Sequence, residues 1–250
     1  MKKSILLTTA AFLVLQIQAQ EITKGKITFE QVVKLEIKLE GEMAAQLAGM
    51  IPSERKSEKT LWFNQNATLF ENSAAAKNED IAMQHGGANV MFRMAEPENK
   101  VYRDLEAGTV TEQRDFMTRL FLIEDTPSPS WKITGNQKVI LDYPCMEATS
   151  GEGEKKITAW FTPIIPVPGG PGNHGGLPGM ILALEANEGK QVTTAVKIEA
   201  DLPEAGQIAK PDKGRKVTRE EFDKIVEEKM KEMGAQPGAG GQHMMIRIQR

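Results

Sequence analysis

Apolar and polar residues alternate in short runs over most of the chain, and each run is followed by a polar turn. The first run, residues 25–39, changes phase partway, which predicts a strand with a bulge near residues 31–33. Further strands are predicted at residues 60–63, 67–70, 89–94, 100–105, 109–114, 118–124, 131–134, 138–143, 146–149, 157–161, 180–185 and 191–199. Residues 135–137 are one of the predicted hairpin turns. Without helices between the strands, this order favours an antiparallel sheet over a doubly wound α/β fold.

One helix is predicted near the C-terminus. Thr218 and Glu221 have the spacing of a capping box, in which each side chain accepts a backbone hydrogen bond of the other residue. The apolar residues that follow lie on one helical face: Phe222, Ile225, Val226, Met230 and Met233. The domain organisation follows from these patterns: residues 1–19 precede an antiparallel β domain at 20–207, and residues 208–250 hold the helix, a Gly-rich linker and a terminal strand.

A single amphipathic helix cannot cover a sheet of nine or more strands. Because the strands alternate, one face of each must be buried, and curling of the sheet is the remaining way to hide it. We therefore expect a mainly β fold with a curved antiparallel sheet, a half-barrel. The concave side and the helix at 218–233 would form an apolar cavity with an adaptable Met-rich lining, or would pack into a filled core.

The N-terminus has the three-part pattern of a signal peptide. Lys2 and Lys3 precede an apolar run at residues 5–15, and the small residue Ala19 then offers a cleavage point. The run is shorter than the ~20 apolar residues of a membrane-spanning helix. We expect cleavage after residue 19, no transmembrane segment in the mature chain, and a location in the periplasm or at the outer membrane.

The composition limits the classes of function. The formal net charge is −3, so there is no electrostatic footprint for nucleic acid. The three histidines lie in no recognisable catalytic motif, and no nucleophile elbow is present. We therefore expect a non-enzymatic protein without a cofactor, which binds an envelope protein or an apolar ligand.

The single cysteine, Cys145, leaves two interpretations open. Among apolar residues of a predicted strand it is a small buried hydrophobe, whereas an accessible thiol would react or bind metal. Soft ligands that suit Cu(I) are present as Cys145, Met146, His174 and His243, although their spacing matches no metal motif. Soft-metal handling is therefore the alternative function.

A segment with six Gly and four Pro in fourteen residues, 166–179, lies between two strand-like runs. Composition alone is typical of a flexible linker. Because Pro fixes φ and Gly permits positive φ, the same mixture can specify one irregular path. We expect an ordered connection between neighbouring strands, with Gly176 and Gly179 in backbone conformations closed to other residues.

This region resembles the GLPGLI family of exported bacterial envelope proteins of unknown function. The motif stands at residues 176–181 as Gly-Leu-Pro-Gly-Met-Ile, after a Tyr-x-Cys-x-x-Ala element and a Trp-Phe-Thr-Pro element. The sequence departs from the family pattern at Glu147 and Ile164. The resemblance marks as motif residues Tyr143, Cys145, Trp160, Thr162, Pro163, Gly176, Leu177, Pro178 and Gly179. It implies an envelope location and supplies no activity; the strand order also resembles, more loosely, the lipoprotein-carrier fold.

Overall fold

The structure is a computed structural model that describes residues 21–34, 53–73, 79–85, 88–94, 97–127, 129–200, 206–232 and 246–247. The predicted signal peptide, residues 35–39 of the first predicted strand, the whole Gly-rich linker and His243 lie outside these ranges.

The described residues form fifteen strands and one α-helix. The strands are β1 Gly25–Lys34, β2 Glu54–Phe63, β3 Ala67–Asn72, β4 Glu79–His85, β5 Ala88–Met94, β6 Asn99–Asp104, β7 Val110–Phe116, β8 Arg119–Asp125, β9 Lys132–Ile140, β10 Tyr143–Ser150, β11 Ile157–Thr162, β12 Met180–Ala186, β13 Gln191–Ala200, β14 Arg215–Thr218 and β15 Ile246–Arg247. The helix is α1, Arg219–Glu232.

Twelve strands form one open, curled sheet in the order β14-β8-β7-β6-β3-β2-β1-β13-β12-β11-β10-β9. Neighbouring strands are antiparallel except β14, which runs parallel to β8. The hairpin β4–β5 pairs with the terminal strand β15 in a second, three-stranded sheet. The predicted mainly β fold with a curved sheet and a C-terminal helix is confirmed.

The bulge of the first strand lies elsewhere than predicted. Residues 31–33 pair in regular register with both β2 and β13, and the register shift falls between Thr28 and Phe29. Thr28 faces Lys197 and Phe29 faces Ala195, so the extra residue is Val196 of β13, which is 47% exposed. The prediction was wrong because the inserted residue belongs to the partner strand β13, and the apolar pattern of β1 contains no information on it.

The predicted hairpin turn at residues 135–137 is also wrong. β9 continues through these residues, and the chain reverses at Leu141 and Asp142, both of which have positive φ. Gly135, with φ +89°, instead lies in a bulge at the point where the pairing of β9 with β10 shifts register. The side chain of Asn136 donates a hydrogen bond to Glu147 of β10 across this bulge. Gly135 therefore lies in the bulge, and the turn has Leu141, a residue that rarely adopts positive φ, at its first position.

The helix begins where the capping pattern predicted. The backbone N–H of Thr218 donates to Oε2 of Glu221 at 2.8 Å, and the N–H of Glu221 donates to Oγ1 of Thr218 at 3.2 Å. Phe222 is fully buried and meets the rings of Phe116 and Phe121 edge-on, with centroids 5.8 and 5.3 Å apart. These contacts fix α1 against β7 and β8.

Candidate ligand-binding cavity

A cavity of about 590 Å³ lies in the concave side of the curled sheet, between α1 and the Gly/Pro connection. Its lining comes from β1, β2, β3, β6 and β7 on one side and from β11, β12, β13 and residues 171–174 on the other. Elements far apart in the sequence therefore meet there, as the curvature predicted.

The floor of the cavity is apolar. Phe70 and Val101 come from β3 and β6, and Leu184 comes from β12. Phe222 and Val226 of α1 close the cavity from the helix side. The expected Met-rich, adaptable lining is wrong: within the described residues the apolar part of the lining contains phenylalanine rings and no methionine, and it accounts for only part of the surface.

The rest of the lining is polar and charged, which the sequence did not predict. Lys59 is buried, and its Nζ donates to Oδ1 of Asn72 at 2.6 Å. Asn72 in turn donates from Nδ2 to the carbonyl of Pro97 at 3.0 Å. Gln31 of β1 donates from Nε2 to Oγ1 of Thr193 in the neighbouring strand β13 at 3.1 Å. A purely apolar ligand would leave much of this surface unmatched.

The most buried charged group in the cavity is the carboxylate of Glu112. Its Oε1 lies 2.6 Å from Nη2 of Arg114, and its Oε2 accepts a hydrogen bond from Nη2 of Arg219. The Glu112 side chain is only 3% exposed. Nε of Arg219 lies 3.9 Å from Oδ2 of Asp125, beyond hydrogen-bond distance. Two guanidinium groups therefore offset the cost of burying one carboxylate.

Backbone hydrogen bonds fix the Gly/Pro connection that forms the opposite wall. The N–H of Met180 donates to the carbonyl of Ile165 at 3.0 Å, and the N–H of Ile181 donates to that of Gly169 at 3.0 Å. Gly176 donates to the carbonyl of Pro168, also at 3.0 Å. Ile165, which comes just before the segment, and Val167 within it are both buried. The connection is ordered, as expected, because it forms backbone hydrogen bonds and contributes to the core.

Two side chains from outside the segment hold its tip. Arg103 of β6 is buried and donates from Nη2 to the carbonyl of Asn173. Trp131 donates from Nε1 to the carbonyl of Gly175 at 2.9 Å. His174 lies between these anchors and lines the cavity. Burial, together with the neighbouring Arg103 charge, lowers the pKa of His174 to about 4, so its imidazole is neutral near pH 7.

The two glycines of the motif have positive φ. Gly179, at φ +147°, lies so close to the preceding strand that a Cβ would stand 2.1 Å from the carbonyl oxygen of Thr162. Gly176, at φ +84°, faces open space apart from Pro129. Gly179 is therefore required for both conformation and space, and Gly176 for conformation alone.

The remaining motif residues serve the fold around this connection. Thr162 is fully buried at the end of β11, whereas Pro163 and Pro178 are exposed. Leu177 is buried in a cluster with Phe161 and Ile181. Tyr143 and Trp160 pack at the edge of the largest core cluster. Among the predicted site residues, the cavity lining includes His174 and none of these.

Two of the predicted soft ligands, Cys145 and Met146, do not face one site. Cys145 and Met146 are consecutive in β10, so they point to opposite faces, and they pack in different apolar clusters. Burial raises the pKa of the Cys145 thiol to about 11, partly offset by the charge of Lys138. Within the described ranges, no three His, Cys, Asp or Glu side chains are grouped so that they could hold a metal ion.

The charged cavity residues Glu112, Arg114 and Arg219 were missed by sequence reasoning. A signal was present: Glu112 and Arg114 share the strand phase of Val110 and Phe116, both of which are buried. Charged residues on the apolar phase of a strand indicate a buried polar site. Arg219, in contrast, reaches Glu112 from the first turn of a helix more than a hundred residues away.

Comparison with known proteins agrees with this assignment of the fold and leaves the function open. A family model described as "Protein of unknown function (Porph_ging)" matches residues 149–183, which include the Trp-Phe-Thr-Pro element and the whole Gly-Leu-Pro-Gly-Met-Ile motif. None of the curated proteins matches the chain. No helix in the described part of the chain is long and apolar enough to cross a membrane.

Solved structures show the same fold. Two crystal forms of PNGF-II, in space groups P21 and C2, match with TM-scores of 0.53 and 0.52 at 15% sequence identity. The matches cover 82% and 81% of this chain and 33% and 32% of the PNGF-II chain. The chain thus spans about a third of the length of these relatives, and the likeness is one of fold.

Proposed function

We propose that this chain is a non-enzymatic protein of the bacterial cell envelope that binds one small ligand in the cavity of the curled sheet. The observation that carries the proposal is the cavity itself. At about 590 Å³ it lies within the ~300–1,000 Å³ of small-molecule sites, and it combines an apolar floor with a few converging polar groups.

The construction of the walls supports binding by a preformed site. The Gly/Pro connection is tied by backbone hydrogen bonds, and α1 is tied by its capping box and the contacts of Phe222. A rigid site loses little conformational entropy when a ligand enters, so a modest number of contacts suffices for affinity.

The envelope location rests on the N-terminal pattern of residues 1–19 and on the resemblance of residues 143–181 to the GLPGLI family. The full chain, expressed in a Gram-negative host, should yield a mature protein in the envelope fraction that begins at Gln20. Intact-mass measurement checks this, and an envelope protein that retains Met1 would contradict the cleavage.

Native mass spectrometry of the purified protein tests the ligand. We expect a small molecule bound in a one-to-one ratio to the wild type. Gln191→Trp places a large ring in the cavity wall and should abolish this mass increment. Gln137→Trp makes the same substitution on exposed β9, away from the cavity, and should keep it.

Two results would refute the proposal. One is a wild-type protein that carries no stoichiometric small molecule and takes up none from a periplasmic extract. The other is a bound molecule that the Gln191→Trp variant retains at full occupancy, because its site would then lie outside the cavity.

A further inference from the structure

The charged wall of the cavity holds two guanidinium groups on one carboxylate. Nη2 of Arg114 lies 2.6 Å from Oε1 of Glu112, and Nη2 of Arg219 donates to Oε2 of the same residue. In the described part of the chain, no other guanidinium nitrogen of the two arginines has an acceptor within hydrogen-bond distance. Because an arginine side chain carries five N–H donors, most of these donors are unused.

The unused donors are accessible from the cavity. The Arg114 and Arg219 side chains are 32% and 23% exposed, and both residues line the cavity. Among their nitrogens without an acceptor, only Nε of Arg219 is fully buried. Arg114 also lies over the ring of Phe222, with its Cζ 5.8 Å from the ring centroid. The buried carboxylate and this ring therefore hold the guanidinium groups in place, with N–H donors that a ligand can reach.

The fixed charges of the cavity leave an excess of one positive charge. The lining holds four cationic side chains, Lys59, Arg114, Lys155 and Arg219, and three anionic ones, Glu112, Asp115 and Asp223. Behind the lining, the opposite charges of Arg103 and Asp125 interact, and this pair adds no net charge. A ligand with a single negative charge would neutralise the cavity, whereas a cation would enlarge the excess.

An apolar surface begins directly beside the charged group. Val101 of β6 is the cross-strand partner of Glu112, and Phe70 of β3 is the partner of Val101. The three side chains therefore lie in one row on the same face of the sheet. Leu184 of β12 adds apolar lining from the other side of the cavity. A molecule in the cavity thus meets guanidinium groups and, next to them, aliphatic and aromatic side chains.

We propose that the cavity binds an amphiphilic carboxylate. Its single carboxylate group accepts hydrogen bonds from the guanidinium groups of Arg114 and Arg219, and its apolar body lies on Phe70 and Val101. A planar carboxylate matches the fork of donors on a guanidinium group, and such charge-assisted hydrogen bonds are stronger than neutral ones. This inference rests on the proposed ligand-binding function and names its ligand class.

Three probes with the same alkyl tail test the charge of the headgroup: octanoate, octanamide and heptylammonium. They are titrated calorimetrically into the full mature chain near pH 7. We expect octanoate to bind at least about tenfold more tightly than octanamide, because only octanoate accepts charge-assisted hydrogen bonds. Heptylammonium should bind most weakly, since its charge repels the guanidinium groups. Gln191→Trp, which fills the cavity, should abolish octanoate binding.

The variant Arg114→Gln gives a second readout. It removes one guanidinium group, while Arg219 continues to neutralise Glu112. Octanoate binding should weaken about tenfold and octanamide binding by less than about twofold, because the amide forms no ion pair. A damaged fold would weaken both probes alike, so the ratio of the two affinities reports the lost contact. Arg119→Gln, on the exposed start of β8 and outside the cavity lining, is the matched control and should bind octanoate like the wild type.

The outcomes distinguish this inference from the function on which it rests. The inference is overturned if octanamide or heptylammonium binds as tightly as octanoate, or if folded Arg114→Gln loses octanoate and octanamide equally. Should Gln191→Trp still remove the bound probe, ligand binding in the cavity stands. Failure of all three probes also overturns the inference, and native mass spectrometry then decides alone on the proposed function. The wild-type order of the probes needs no variant, so the test holds even if Arg114→Gln does not fold.

Discussion

The two walls of the cavity are built by different means. The Gly/Pro connection at residues 166–179 is held by backbone hydrogen bonds and buried aliphatic side chains. The wall of β6, β7 and α1 is held by a buried carboxylate between two guanidinium groups. The first wall has little adjustable chemistry, whereas the second leaves polar atoms unsatisfied.

The first wall therefore sets the shape of the cavity, and the second sets the chemical groups that a ligand would meet. A wall defined by backbone geometry fixes the size of the cavity and tolerates few substitutions. A wall defined by side-chain charges depends on the balance of those charges, so removal of one charged partner leaves the others uncompensated. Substitutions in the two walls should therefore differ in how far they lower the free energy of unfolding, in the salt dependence of that loss and in their effect on ligand binding.

Gly179→Ala should lower the stability most, because the Gly/Pro wall depends on backbone geometry that a side chain at this position would disturb. The new Cβ would stand 2.1 Å from the Thr162 carbonyl oxygen, at φ +147°. We expect the free energy of unfolding to fall by about 4 kcal/mol or more, independent of salt, as measured by urea denaturation. Gly108→Ala, at φ +68° with open space around it, is the control and should cost about 1 kcal/mol. Equal costs at the two sites would show that the close approach to Thr162 is not rigid.

Glu112→Gln should have the next largest effect, on the other wall. It removes the buried negative charge and leaves Arg114 and Arg219 beside a neutral amide. The expected loss is about 3 kcal/mol, because a broken buried ion pair leaves uncompensated charge. Glu124→Gln on exposed β8 should change stability by less than about 0.5 kcal/mol. A loss at Glu112 no larger than at Glu124 would mean that the charges hold the helix wall only weakly.

The regular parts of both walls could be predicted from the sequence. Period-2 alternation gave most strands of the sheet, and the capping box of Thr218 and Glu221 gave the start of α1. The shortage of helices relative to strands predicted the curvature. The strands and the start of α1 follow from local patterns, whereas the curvature follows from the balance of strands and helices along the whole chain.

The parts that could not be predicted depend on distant partners. Nothing near Glu112 in the sequence indicates that Arg219 of α1 will neutralise it, so the charge on the apolar phase of β7 had no visible explanation. The turn at Leu141 and Asp142 likewise carries no turn residue with a preference for positive φ on its first position. The position of this turn depends on the register between β9 and β10, which cannot be predicted from the sequence of either strand alone.

Acid should weaken the Gly/Pro wall through His174. The pKa of His174 is lowered to about 4 in the folded protein from the ordinary value of 6.5, by burial and by Arg103. Between about pH 6.5 and about pH 4 the unfolded state binds a proton at His174 and the folded state does not. Stability is therefore lost progressively as the pH falls through this range. The difference between wild type and His174→Asn isolates this contribution, roughly 1–2 kcal/mol after solvent screening, in unfolding curves from pH 7 to pH 4. Parallel curves for the two proteins would place His174 in contact with solvent.

Gly176→Ala should have the smallest effect and sharpens the distinction between conformation and space within the same wall. Gly176 has φ +84°, but a Cβ there would meet only Pro129, at 3.8 Å. The cost is therefore that of positive φ alone, about 1 kcal/mol, which corresponds to a fall in the melting temperature of about 2–4 °C for a domain of this size. Gly176→Asn should cost less than Gly176→Ala, because asparagine adopts the left-handed region more readily than alanine.

Ligand binding should be unchanged in both variants, since Gly176 is exposed and does not line the cavity. Calorimetric melting of the two variants checks the order, and an alanine variant as unstable as Gly179→Ala would show that the whole connection, and not only its approach to Thr162, is intolerant of a side chain.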